Sequence, residues 1–257
     1  MSLPAGLHVL SRGFYERDSL DVAPDLLNKV LVGTHGRRGR IIEVEAYRGR
    51  DDPGSHAFRG RTARNATMWG RAGHLYVYFV YGMHWCANVV CADEGVAQAV
   101  LVRALAPESG LPAMRAARWG DGLGDPQGPR RRPDRDLCRG PARLCQAFGI
   151  TGSDDGTDLV APDDTRAPDD TVAPGDLVAP GDLVAPVGRS SRRGLTGGGS
   201  AVLMVGDDGR APPGEPLVTT RVGLRSGADL PWRFAVSGHR GVSRWTGIPR
   251  RSRPRLR

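Results

Sequence analysis

Lysine is almost missing from this sequence. Lys29 is the only one among 257 residues, and every other cationic side chain is an arginine. Apart from Lys29 and the terminal amine, no group is available to form a Schiff base, which argues against catalysis through an imine. Cysteine is scarce as well. The four, at positions 86, 91, 138 and 145, are too few for a disulfide scaffold, and their spacings are not the CxxC pairs of a zinc site. Neither zinc nor a disulfide is expected. Long apolar runs are absent too: no stretch approaches the roughly 18 uninterrupted apolar residues that a membrane span needs. The opening MSLPAGLHVLSRG lacks the apolar run and cleavage site of a signal peptide. The expectation is a cytoplasmic protein without membrane contact.

What is present suffices for a folded core, since 39% of residues are hydrophobic and 25% charged. Charge is unevenly placed. The formal net charge is +8, yet residues 154–186 hold nine aspartates against the single Arg166, so the rest of the chain is far more basic than the total suggests. Polyanion binding is one use of such an excess, and a solvated basic surface is the other. Within the acidic stretch runs a near-regular hexad, LVAPDD, TRAPDD, TVAPGD, LVAPGD, LVAP. Proline in every turn withholds backbone donors, so a stacked β-helix is disfavoured and an extended, flexible insert over 154–196 is expected, a passive loop expansion dispensable for the fold. Residues 244–257 contain six arginines and no acid, which reads as a disordered basic tail.

Periodicity outlines the elements between these segments. Leu26, Leu27, Val30 and Leu31 recur at helical spacing, so a helix is predicted from Pro24 to Gly33. RIIEVEAY over 40–47 alternates, placing Ile42, Val44 and Ala46 on one face of a strand and Glu43, Glu45 and Tyr47 on the other. A glycine- and arginine-rich loop leads to HLYVYFVYGMHWCANVVCA, which reads as a hairpin turning near Gly82. A strand over 96–105, a helix from Pro107 to about Trp119 and a loop over 120–136 follow; a further helix begins at Pro141 with Leu144, Cys145 and Phe148 apolar and Gly149 near its stop. Strand patterning resumes near 201–206 and 217–224, and 230–238 reads as a buried segment.

Glu45 and Tyr47 on one strand face, a nearby His56, an aromatic hairpin and Arg103 among Val100, Leu101, Val102 and Leu105 form an unusual set. An unpaired guanidinium there would be expensive, so a carboxylate or phosphate partner is expected for Arg103. In order, RIIEVEAY, a histidine eleven residues after Glu45, RTARN, HLYVYFVYGMHWCANVV and VLVRALAP resemble the alkyladenine, or 3-methyladenine, DNA glycosylase family. The similarity covers roughly residues 12–150, including GPARLCQAFGI, and resumes at TTRVGLRSGADLPWRF; the hexads and the basic tail have no family counterpart.

The resemblance implies a single α+β domain spanning 1–257, with a curved antiparallel β-sheet, flanking helices and a protruding β-hairpin. It implies a monofunctional glycosylase that flips alkylated, and also deaminated, purines from double-stranded DNA, needs no cofactor or metal, acts as a monomer and joins the nucleoid when bound. Glu45 matches the general base, with Arg103 beside base and water; a structural ion pair is the other reading of that arginine. Tyr47, His56 and Tyr78 match stacking walls of a face-to-face aromatic sandwich, and Asn88 matches a pocket residue that disfavours the exocyclic amine of guanine, although a buried amide also serves to satisfy backbone. Tyr76, by contrast, reads as ordinary packing. Tyr81 and Met83 match the wedge that enters the minor groove, where a dimer contact is the alternative. Arg61, Arg64 and Asn65 are candidates for holding phosphates. A non-catalytic damaged-DNA-binding protein with the same hairpin is the rival function.

Overall fold

The computed structural model describes residues 6–120, 132–160 and 203–243. Of the insert expected over 154–196, residues 161–196 lie outside the described residues, as do most of the 120–136 loop and the tail over 244–257, whereas 154–160 pack into the fold, with Leu159 buried and Asp158 paired with Arg12. Nine strands among the described residues form one open antiparallel sheet: β1 (His8–Val9), β2 (Val30–Val32), β3 (Arg38–Tyr47), β4 (Leu75–Val80), β5 (His84–Cys91), β6 (Gln98–Ser109), β7 (Met204–Asp207), β8 (Leu217–Thr219) and β9 (Arg233–Ala235). Their order is β1-β7-β2-β3-β6-β5-β4, and β9, with β8 outside it, pairs with β3 beyond the end of β2. The helices are α1 (Arg12–Tyr15), α2 (Ser19–Leu26), α3 (Leu111–Trp119) and α4 (Pro141–Phe148). The architecture is α+β, as expected. No helix among the described residues is long and apolar enough to cross a membrane.

Alternation along the strands gives the sheet two covered faces. Val44, Ala46, Leu75, Val77, Ala87, Val89, Val100 and Val102 face the main core, shared with Val22 and Leu26 of α2, Met114 of α3 and Leu144 and Phe148 of α4. On the opposite face Tyr76, Val90 and Ala99 meet Ala57 and Met68 from the loop that follows β3. The cysteines are free and buried.

Three expectations are corrected. The helix predicted from Pro24 to Gly33 ends at Leu26: α2 starts earlier, capped by the Asp18 side chain accepting from the Leu20 N–H, and Val30–Val32 is a strand between β3 and β7. Hydrophobics at 26, 27, 30 and 31 fit a helical face, but the chain turns at Asn28, whose φ is 70°, and the second pair joins the sheet. Pro107 does not open a helix either. It lies within β6, two residues before the strand ends, opposite Gly39 and at an irregularity in the pairing where a missing donor is tolerated, and α3 begins only after Gly110 (φ 70°), where a Cβ would lie 2.6 Å from Arg37 Cα. Finally, strand pairing over the 217–224 segment stops at Thr219, and the chain beyond it turns into the site.

Candidate active site

Two bulges organise the junction of β3 and β6. Pairing jumps from Ile41–Leu105 to Glu43–Ala104 and then to Val44–Val102, leaving Ile42 and Arg103 without a cross-strand partner. Bulges re-aim side chains near functional sites. Here Ile42 leaves the core cluster that holds Val44 and Ala46, and the Arg103 guanidinium lies between the two carboxylates of the strand. Arg103 Nε donates to Glu43 Oε1 at 2.8 Å and Nη1 lies 3.2 Å from Glu45 Oε1, with both carboxylates 0% exposed. The expected partner of Arg103 is thus a pair of buried acids. Glu43 also accepts from Arg233 Nε at 2.8 Å and from the N–H and hydroxyl of Ser243. Burial would lift the Glu43 carboxyl, but Arg103, the Ser243 hydroxyl and Arg233 together hold it below its ordinary value. Burial likewise opposes the Arg103 charge; Glu45 and then Glu43 outweigh it and raise its pKa.

Glu45 is held by donors alone. Oε1 accepts from the Val222 N–H at 2.7 Å and faces Arg103, while Oε2 accepts from the Tyr47 hydroxyl at 3.0 Å. A carboxylate has about four acceptor positions, so one on Oε2 is left open. Tyr47 in turn lines a small cavity of about 70 Å³ with Gly54, His56, Met68, Tyr76, Tyr78, Asn88 and Leu224. Ligand pockets commonly start near 300 Å³, so a ligand of that class would need these walls to part. Burial first, and the neighbouring Glu45 carboxylate second, push the Tyr47 hydroxyl well above its usual pKa. It stays a donor.

The rings differ from a parallel sandwich. His56 meets Tyr78 edge-on, with centroids 4.5 Å apart and planes at 85°, whereas the near-parallel pair is Tyr76 with Tyr78, at 5.5 Å and 26°. Tyr76, read from sequence as packing, lines the cavity, and its hydroxyl meets His56 Nδ1 at 3.0 Å. Burial raises the Tyr76 hydroxyl to about 12, so it remains protonated. Burial and then the Arg64 charge lower the His56 pKa. Asn88 satisfies backbone, one of the two readings given to it: its amide donates to Tyr76 O across the strand pair at 3.1 Å, and it lines the cavity.

Asn65 is corrected as a phosphate ligand. Its amide donates to His56 O and Gly60 O and its oxygen accepts from the Thr62 N–H, so it is buried and braces the loop that carries His56. Arg61 and Arg64 remain exposed on that loop; Arg64 donates to Phe79 O of the hairpin at 2.9 Å. At the hairpin tip Tyr81 is 82% and Met83 66% exposed. The Met83 N–H donates to Val80 O across a two-residue turn in which Tyr81 and Gly82 both have positive φ, 53° and 67°.

Sequence reasoning missed Arg221 and Asp52, an ion pair with no exposure on either side chain, and Leu224 and Val222 of the same segment. The signal that drew attention to Arg103, a cation among apolar neighbours, was also available at Arg221 and Arg233. Among the described residues no cluster of three or more His, Cys, Asp or Glu side chains is arranged for a metal ion.

Comparison with known proteins points the same way. The model of the methylpurine-DNA glycosylase family matches residues 13–240. A Burkholderia lata protein named "Putative 3-methyladenine DNA glycosylase" is 47% identical over 235 residues, 91% of this chain and 91% of its own length. Under the same name, a Burkholderia cenocepacia protein is 46% identical with equal coverage, and one from Methanoculleus marisnigri is 40% identical over 95% of this chain and 100% of the relative.

Proposed function

Since the chain belongs to the methylpurine-DNA glycosylase family and is a DNA N-glycosylase, we propose that it flips alkylated and deaminated purines from duplex DNA and hydrolyses their N-glycosidic bond with a water activated by Glu45. Unstacking a nucleotide costs a few kcal/mol, offset by stacking within a pocket; Tyr47, Tyr78 and His56 supply those walls, and Asn88 excludes the exocyclic amine of normal guanine. As the bond breaks, the purine departs with the electron pair and positive charge develops at C1′. An anion beside it stabilises that charge and takes the proton of the attacking water, the logic of glycoside hydrolysis. The open acceptor position on Glu45 Oε2 is where that water would bind, while Arg103 and the Val222 N–H hold Oε1 in place. An alkylated purine that is already cationic leaves neutral without an acid. Tyr81 and Met83 fill the gap left in the duplex, Arg61 and Arg64 hold phosphates, and one chain suffices.

The observation that carries this reading is the placement of Glu45: fully buried, gripped by donors and one hydrogen bond behind a ring-lined cavity. A solvated strand carboxylate would have none of these. The test is release of free base from methylated duplex DNA by the native protein and by Glu45→Gln. Loss of a general base is expected to slow release by roughly 10²–10⁴-fold with DNA binding kept. Equal release by the variant removes Glu45 from the mechanism; DNA binding without release by either protein favours a non-catalytic binding module.

A further inference from the structure

The geometry points to Arg221 and Asp52 as positioning residues for base excision, one ion pair that sets both the stacking ring of Tyr47 and the orientation of Glu45. This rests on the reading of Glu45 and Tyr47 given above. Arg221 is buried, and its guanidinium carbon lies 4.6 Å from the Tyr47 ring centroid and 5.0 Å from that of Trp232, so the cation is held between two aromatic groups. Its Nη atoms donate to both oxygens of Asp52, to Ala46 O at 3.0 Å and to Gly227 O at 3.2 Å. Among the described residues its Nε finds no acceptor, so the fork and the two rings fix its place.

Each attachment leads to the site. Ala46 lies between Glu45 and Tyr47 on β3. Val222, next along from Arg221, gives Glu45 its backbone N–H at 2.7 Å. Asp52 Oδ1 also accepts from the Gly54 N–H at 2.9 Å, and Gly54 and Leu224 line the cavity. The packing allows no slack, because a Cβ on Gly54 would sit 2.8 Å from both Arg221 Nη2 and Leu224 Cδ1. Three separate pieces, β3, the loop carrying Gly54 and His56, and the 221–227 segment, therefore meet on one guanidinium. Lysine cannot replace it, since a point charge has neither the planar fork nor the stacking face.

Single-turnover base release from methylated duplex DNA separates positioning from mere structure. The rate constant at saturating protein reports geometry, circular dichroism reports the folded fraction, and DNA affinity is measured alongside. Arg221→Lys and Asp52→Asn are expected to lower the rate constant by about 10- to 100-fold, the scale of a misplacement near 1 Å, with DNA affinity within threefold of native. Trp232→Leu keeps the ion pair and loosens the stack, and it gives a smaller drop in the same quantity should the first two fail to fold. Native rate constants in the folded variants, with any loss confined to the folded fraction, overturn the inference. Glu45→Gln is run in parallel: full activity there overturns the reading of Glu45 itself, whatever the Arg221 variants do.

Discussion

At Glu43 two arginines, a hydroxyl and a backbone N–H converge on one buried carboxylate. Removing one member of such a group leaves the others charged and unpaired, typically at a cost of about 3–5 kcal/mol. Glu43→Gln should therefore destabilise the protein by roughly 3 kcal/mol in a denaturant titration, far more than an exposed carboxylate would. Tyr76→Phe removes only the hydroxyl that meets His56 Nδ1, and a loss of about 1 kcal/mol is expected. Base release by that variant tests Tyr76 separately: an unchanged rate would return it to the packing role read from sequence. Glu43 and Glu45 were legible together, because alternation put both on one face. Arg103 between them was legible only as a cation in need of a partner.

The hairpin of β4 and β5 is an element whose local rule is broken at one position. A turn with positive φ at both central residues favours Asn-Gly, yet a tyrosine stands first, in a conformation that costs L-residues about 1–2 kcal/mol. Its side chain is almost free of the protein, so no packing offsets that cost. Strain at an exposed ring suggests use. Tyr81→Asn should raise stability by up to about 1 kcal/mol while slowing base release, readable by thermal denaturation and a glycosylase assay on the same preparation. Unchanged release would remove Tyr81 from the DNA-facing role. The long strands and α4 were legible from period and from Pro141 and Gly149 at the helix ends. The bulges were not: the core face jumps from Ile41 to Val44 on β3 and from Val102 to Leu105 on β6, but Ile42 and Ala104 are apolar too, so the sequence shows no break there.

Across the whole molecule, charge governs both binding and acid stability. DNA affinity should fall linearly with salt on logarithmic axes, and Arg61→Ala or Arg64→Ala, if each removes one phosphate contact, should reduce the slope by about one. Burial alone would raise the carboxyls of Glu43, Asp18 and Asp158; Arg103 and Ser243 at the first, the Leu20 N–H and Arg48 at the second and Arg12 at the third more than offset it, leaving all three lowered. The unfolded chain then takes up protons before the folded one does. Stability is fully present above the ordinary values, 4.5 for Glu and 3.8 for Asp, and is lost as pH falls below them. Unfolding titrations from pH 7 to pH 3 should show that decline, and Glu43→Gln should flatten part of it.

Ordered motifs, alternation along β3 and the aromatic hairpin were enough, from sequence alone, to indicate the α+β class, the family and the acid at position 45, because each depends on residue type at short range. The tertiary structure decided what residue type at short range leaves open: Asn65 turned inward to brace its own loop, Tyr76 lining the cavity as well as packing, and Arg221 brought from the far end of the sequence to stand behind Tyr47. The Arg221 contacts form when β9 pairs with β3 and the 221–227 segment closes over the sheet. No local pattern encodes that closure.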